Sequence, residues 1–401
     1  MANADVIVVG GGPAGMMAGL LLARAGIATV VLERHADFFR DFRGDTVHPS
    51  TMELLSELGM LDRFLARPHH RLERAEITWD GRLFEIADLS HLPTPAPFIA
   101  MMPQWDFLDF LRGEAAAFPA FTLRMEAPVE GMVEEGGRIV GVVLVSGEVL
   151  RAARLVIACD GRDSLVRRRR LLPLRDLGAP IDVFWFAVPK AQRGHAVRGA
   201  VRGTHMIVQI DRGDYWQCAY VIAKGSAAAV RARGIAAFRA EVRASAPELP
   251  GLDEALPDFG AIRLLSVSLD RLTRWHRRGL LAIGDAAHAM SPVGGVGINL
   301  AIQDAVAAAN LLAGPLARQG NVDALLHRVE DRRLLPTRVI QAGQRAVHRA
   351  VLQPILAGRP EETPAPPVLL RLLDRFAVLR RLPARAIGLG FRREHLTAPK
   401  A

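Results

Sequence analysis

Residues 5–33, DVIVVGGGPAGMMAGLLLARAGIATVVLE, constrain the fold more than any other stretch. A short β-branched run ends in glycines, a helix-forming run continues to Gly26, and a second β-branched run ends at Glu33. Strand, glycine turn, helix, strand is the βαβ unit of a parallel sheet.

Within GGGPAG, Gly10, Gly12 and Gly15 fit the spacing G-x-G-x-x-G. The first glycine permits the tight turn, the second lets a pyrophosphate approach the backbone, and the third lets the helix pack closely. Pro13 and Ala14 open the helix, whose first N–H groups and partial positive charge suit phosphates. Glu33, followed by Arg34, stands where an acid accepts hydrogen bonds from a ribose. An acid at that place favours an unphosphorylated ribose, as in FAD or NAD. The fingerprint alone is weak, because glycine turns occur without ligands. Here strand, helix and acid are all in place, so a dinucleotide is expected over a bare structural turn.

Two later strands end the same way. Arg154 to Ala158 leads into CDGRDS, and Leu280 to Ile283 leads into GDAAHAMSPVGGVGIN. In the latter, Gly294, Gly295 and Gly297 would each cost about 1 kcal/mol against alanine if they only continued a helix. Three buried strands, far apart in sequence, thus deliver glycine turns at the end of an α/β sheet where ligands bind. Between them, Leu72 to Trp79, Asp182 to Val188, His205 to Ile210 and Tyr215 to Ala223 read as strands of an antiparallel sheet. The expected fold class is α/β, and 401 residues suffice for two domains. A discontinuous Rossmann-type domain would span 1–70, 101–175 and 262–345. An inserted, largely antiparallel β-sheet substrate domain would span 71–100 and 176–261, and a C-terminal helical segment 346–401.

Net charge is +9, carried almost wholly by arginine, and Arg167 to Arg170 are its densest cluster. Basic balance favours anionic partners, but no nucleic-acid module accompanies it, so a solvated or cofactor-facing surface is expected and no nucleic acid. Cys159 and Cys218 sit in apolar runs, build no disulfide framework and suit a reducing cytoplasm. The start lacks a basic region and cleavage site, and no run reaches the roughly 18 apolar residues of a membrane span. After the proline-rich stretch Glu361 to Pro367, VLLRLLDRFAVLRRL reads as a terminal helix packed on the body. Contact with a membrane surface or a second copy is the alternative, and monomer and homodimer both stay open.

The three motifs, in this order, resemble the group A flavoprotein monooxygenases, with the fold of para-hydroxybenzoate hydroxylase and of the ubiquinone-pathway hydroxylases. The resemblance extends to about Leu335. It implies that Gly10, Gly12, Gly15 and Glu33 hold the ADP half of FAD. It also implies that Arg43, in FRGDTVHPSTMELL, and Gln104, in MMPQWDFLDFLR, reach the flavin. Asp160 and Gly161 would serve FAD and, transiently, NADPH or NADH. Asp285 would bind near the ribityl chain and pyrophosphate, and Pro292 with the loop through Gly295, Gly297, Ile298 and Asn299 would lie against the ring. The plainer readings are a surface arginine for Arg43, a helix cap for Gln104 and a simple N-cap for Asp285. His288 is as readily a histidine satisfied by backbone as a flavin-site residue. His48 and His205 read as structural unless they face substrate; with Pro292 they are the weak catalytic candidates.

A flavin carries the hard chemistry itself. The lack of a Ser/His/Asp order, C-x-x-C, H-E-x-x-H or Walker loop agrees with a flavoenzyme and with no metal. The resemblance implies NAD(P)H-consuming, dioxygen-dependent hydroxylation of an aromatic, polyketide-like or quinol-like substrate by way of a flavin hydroperoxide. Phe184, Trp185, Phe186, Met206, Trp216 and Tyr220 either line its pocket or fill the inserted sheet's core. A reductase or halogenase of the same fold, and a FAD-fold binding protein without turnover, are the competing readings. The expected location is the cytoplasm, with a peripheral membrane contact left open.

Overall fold

The structure, a computed structural model, describes residues 4–39, 46–190, 197–358 and 362–401. Its main sheet runs His276–Arg277, Leu280–Ala282, Val149–Ala158, Ala4–Val9, Thr29–Leu32, Phe121–Arg124 from edge to edge. All pairings from Leu280–Ala282 onward are parallel. Such strands are covered on both faces, which is why they read as unbroken apolar runs. In register, Ala282 pairs with Ala158, Ala158 with Val9, and Val9 with Leu32. The C-terminal ends are therefore level, and the turns after them emerge side by side.

Helices α1 (Pro13–Arg24), α2 (Pro49–Glu57) and α3 (Gln104–Ala115) belong to the first half of the chain. Helix α4 (Ile235–Ser245) covers the second sheet, and α5 (Gly297–Ala317) and α6 (Leu326–Val347) follow the third motif. Met16 and Leu20 of α1, Leu108 and Leu111 of α3, and Ile302 and Val306 of α5 share one buried core. Each fully buried side chain of this size contributes about 1.5–3 kcal/mol. By length and mean composition the helical stretch Val293–Ala317 is apolar enough to cross a membrane, but it is mostly buried. It is the central core helix, packed against α1.

The second sheet has the order Arg263–Leu265, Ile181–Pro189, Tyr215–Ala223, His205–Asp211, Val197–Arg202, Arg74–Trp79, Arg82–Asp88. Only Val197–Arg202 and Arg74–Trp79 pair in parallel. The domain division we propose follows the two sheets, with Arg263–Leu265 carrying the second one just past residue 261. Side chains alternate across its faces, and this sorts the aromatic residues. Phe184, Phe186, Trp216 and Tyr220 pack with Phe238 and Val242 of α4 on the outer face. Trp185, Met206 and Val221 lie on the inner face, in one cluster with Val293 of the third motif.

Helix α6 continues through a π-helical turn, His348–Leu352, into Gln353–Ala357. Helices α7 (Val368–Arg375) and α8 (Arg381–Gly388) then bury only Leu370, Leu373, Ala384 and Gly388 against the body. The tail returns to α1, where Ala401 N donates to Arg24 O at 3.0 Å.

Candidate functional site

Three turns meet at the level ends of the strands. In the first, Gly10 has φ +104°, and a Cβ there would stand 2.5 Å from Cys159 O. Only glycine fits both demands. At Gly15 a Cβ would come within 1.9 Å of Gly10 O, so the turn and α1 touch backbone to backbone. Gly12 differs: a Cβ there would meet nothing within 4 Å, and no side chain caps the helix that starts beside it. The unpaired N–H groups of the first turn thus face an open approach, the arrangement a pyrophosphate requires.

Glu33 is buried, and its two carboxylate oxygens accept from Gly11 N at 3.0 Å and His35 N at 3.1 Å. It braces the glycine turn from the side where a ribose would lie. Arg34 is exposed and donates from Nε to His35 Nε2 at 2.9 Å. Arg43 lies outside the described residues. Gln104 opens α3 without acting as its cap, because Pro103 holds that place and no side-chain cap is made.

In the second turn, Asp160 accepts from Ser164 Oγ at 2.5 Å and Leu165 N at 2.7 Å. Burial pushes its carboxyl pKa up, against those bonds. Asp160 therefore shapes the turn, while Gly161, at φ +81° with open space where a Cβ would be, presents backbone. Arg162 Nε reaches Asp285 Oδ2 at 3.3 Å and ties the second turn to the third. Arg167, read from sequence as part of a solvated or cofactor-facing cluster, is instead internal. Its Nε donates to Ala286 O at 2.9 Å and its Nη2 pairs with Asp270 Oδ1 at 2.8 Å. Arg168, Arg169 and Arg170 are exposed.

Asp285 is partly exposed at the head of the third turn, where Ile283 holds the N-cap position, so Asp285 is not the simple N-cap. Pro292 leads into the glycines. Gly295 has φ +62°, its carbonyl accepts from Thr46 Oγ1 at 2.8 Å, and a Cβ would collide with that threonine. Gly297 begins α5, and a Cβ there would again meet nothing within 4 Å, which leaves a second open backbone face at a helix start. Ile298 is buried in the core shared with α1. Asn299 does not face that opening: its Oδ1 accepts from His48 N at 2.9 Å and Thr51 Oγ1 at 2.7 Å, locking α2 to α5.

His48 caps α2 and is fully buried. Its Nδ1 donates to Ile387 O at 2.8 Å, which fixes the tautomer. Nε2 is left facing the Gly295 backbone, with no well-aligned hydrogen bond among the described residues. Burial pulls its pKa down to about 4, so the ring is neutral. His205 is elsewhere: it pairs with Tyr220 Oη at 2.5 Å on the outer face of the second sheet, beside Glu241. It is not brought to the three turns.

Sequence reasoning missed Asp304, in the apolar middle of α5. Its Oδ2 accepts from Gly284 N at 3.1 Å and lies 2.6 Å from His288 Nε2, and its Oδ1 accepts from Arg333 Nε at 2.9 Å. Burial works to raise its pKa, but His288 and Arg333 outweigh that and hold it low. The available signal was an acid alone in a run of alanines and leucines.

The donors fit FAD. Two helix starts present open backbone where a Cβ would fill the cradle, an acid braces the ribose side, and the buried His48 ring stands against the Gly295 backbone of the third turn.

A sequence family described as FAD binding domain matches residues 3–343. The chain is 35% identical to 6-methylpretetramide 4-monooxygenase of Streptomyces rimosus, covering 83% of this chain and 80% of that protein. It is 32% identical to rifampicin monooxygenase of Streptomyces venezuelae over 75% of this chain, and spans 62% of that longer protein. The crystal structure of p-nitrophenol 4-monooxygenase from Pseudomonas putida shares the fold with a TM-score of 0.75, at 21% identity. It covers 97% of this chain and 99% of that one.

Proposed function

The chain belongs to the FAD binding domain family, as a group A flavoprotein monooxygenase, and from that membership we propose that its substrate is a flat, fused-ring phenolic polyketide. It is an FAD-dependent oxidoreductase with aromatic hydroxylases as relatives. Bound FAD supplies electron transfer from NAD(P)H and activation of dioxygen. The residues that would hold it are Gly12 to Gly15, Glu33, Asp285 and the Gly295 to Ile298 backbone. The N–H groups that begin α5 offer a partial positive charge to an electron-rich edge.

The observation that carries the substrate class is the inner face of the second sheet. Trp185 and Val221 are buried in one apolar cluster, and the half-buried Met206 and Val293 pack against it as an apolar wall beside the glycine loop. A surface of this kind recognises a broad apolar ring system better than a small charged phenol. Purified protein should carry a flavin spectrum and consume NAD(P)H faster with a tetracyclic phenol than with p-nitrophenol, with a product heavier by one oxygen atom. Equal stimulation by both, or reductant consumption with no oxygenated product, would count against this reading.

Helices α7 and α8 and the short turn between them expose Leu369, Leu372, Phe376, Val378 and Leu382 among arginines. This supports a peripheral contact with an anionic lipid surface. Co-sedimentation with phosphatidylglycerol vesicles but not with phosphatidylcholine vesicles is the expected outcome, and absence of both rules the contact out.

A further inference from the structure

One cleft gathers more positive charge than the carboxylates around it balance among the described residues. It is a cavity of about 280 Å³ between the loop 177–180 and the end of α6, lined by Gly178, Pro180, Arg345, His348, Arg349 and Gln353 among others. Arg345 and Arg349 are four residues apart, so they share a helix face. Neither makes an ion pair among the described residues. Arg349 lies on the π-helical turn, a feature that recurs at functional sites. Next to the cleft, Arg271 donates to Gln341 Oε1 at 2.8 Å. Burial and the charges of Arg338, Arg175 and Arg345 pull its pKa below the usual arginine value. Of the carboxylates at hand, Asp270 pairs with Arg167, while the exposed Asp176 accepts only from the neutral Gly178 N at 2.9 Å, so one free carboxylate charge stands among the guanidiniums of Arg175, Arg271, Arg338, Arg345 and Arg349.

Guanidiniums brought together in excess of their counterions repel one another, and a doubly charged phosphate relieves that repulsion while accepting paired N–H bonds. The same helix end also grips the third motif. Gln344 Nε2 donates to Ser291 O and Val293 O, both at 2.9 Å. His348 Nε2 shares a hydrogen bond with Ser291 Oγ at 2.8 Å. The cleft is therefore one layer of side chains from the loop that precedes the glycines.

We propose that this cleft binds a phosphate group, and that it docks the phosphate-bearing end of the nicotinamide reductant beside the Ser291–Val293 loop. The assignment of the reductant rests on the flavoenzyme reading above. The chain has only one dinucleotide fingerprint, so a reductant that visits must be held by other means, and clustered arginines supply them.

The test is calorimetric titration of the purified flavoprotein with adenosine 2′,5′-bisphosphate, ADP and inorganic pyrophosphate. The wild type and the double variant Arg345→Gln/Arg349→Gln are compared at matched salt. Binding to the wild type that weakens about tenfold or more in the variant is expected, the scale of lost charged hydrogen bonds. Melting temperature and flavin absorbance of the same samples show that fold and flavin are kept, and a flavin-free wild type would fault the flavoenzyme reading separately. A nucleotide that binds tighter than pyrophosphate supports docking of the reductant. Pyrophosphate binding as tightly as either nucleotide overturns that docking and leaves a site for free phosphate. No binding by the wild type, or undiminished binding by the variant, overturns the proposal altogether.

Discussion

His288 Nε2 lies 2.6 Å from Asp304 Oδ2, and both side chains are shielded from solvent. Through Asp304 the histidine is joined to Gly284 N and to Arg333, and Arg333 Nη1 reaches Glu394 Oε1 at 3.3 Å. The imidazole is thus a strut. It fixes the turn that carries Asp285 to α5, to α6 and to the C-terminal tail.

Replacing Asp304 with alanine leaves a buried imidazole without its carboxylate and a buried guanidinium with Glu394 as its one remaining carboxylate among the described residues. Removal of one member of such a buried set costs about 3–5 kcal/mol. Asp304→Ala is expected to melt well below the wild type in a thermal scan, with flavin lost along with the fold. An unchanged melting temperature would show that the strut carries no weight.

Asp285 should behave in the opposite way. Its partner Arg162 is partly exposed and 3.3 Å away, and an ion pair of that kind contributes about 0–1 kcal/mol to stability. Its charged hydrogen bonds to bound FAD would contribute roughly 1.5–3 kcal/mol. Asp285→Ala should therefore keep its melting temperature as apoprotein but elute from gel filtration with less flavin per chain. Full flavin content would contradict the role assigned to it.

The buried His48 gives a pH dependence. Its folded-state pKa is about 4 against an ordinary value of 6.5, so between these values the unfolded chain binds a proton that the folded chain does not. Stability is full above pH 6.5 and drains as pH falls towards 4, by about 3 kcal/mol at 1.36 kcal/mol per pH unit. Denaturant titrations across that window should show the loss, and His48→Gln should shrink it, with the remainder falling to His205, His276 and His348, whose pKa values burial also lowers. A parallel decline in the variant would place the effect elsewhere.

The strand-to-turn junctions were legible because each is local: an apolar run with a glycine after Val9, near Ala158 or after Ile283. The inner and outer faces of the second sheet were not, since Phe184 and Trp185 are both aromatic and only the register decides which faces α4. Arg167 looked solvated by its neighbours in sequence, yet Asp270, far along the chain, draws it inside. Asp304, Arg333 and Glu394 were invisible for the same reason, as each finds its partner on a different element. Glycines were the most readable residues because what they make room for is set by backbone alone.

Gly12 gives the most direct test that the three turns cradle FAD. A Cβ at this position would touch nothing in the protein, and its backbone angles, φ −74° and ψ −174°, suit alanine. Titrating FAD into apoprotein should show Gly12→Ala binding at least about tenfold more weakly than wild type, while apoprotein stability shifts by no more than about 1 kcal/mol. Equal FAD affinity in the two proteins would contradict the account, because the open face at Gly12 would then have no pyrophosphate to receive.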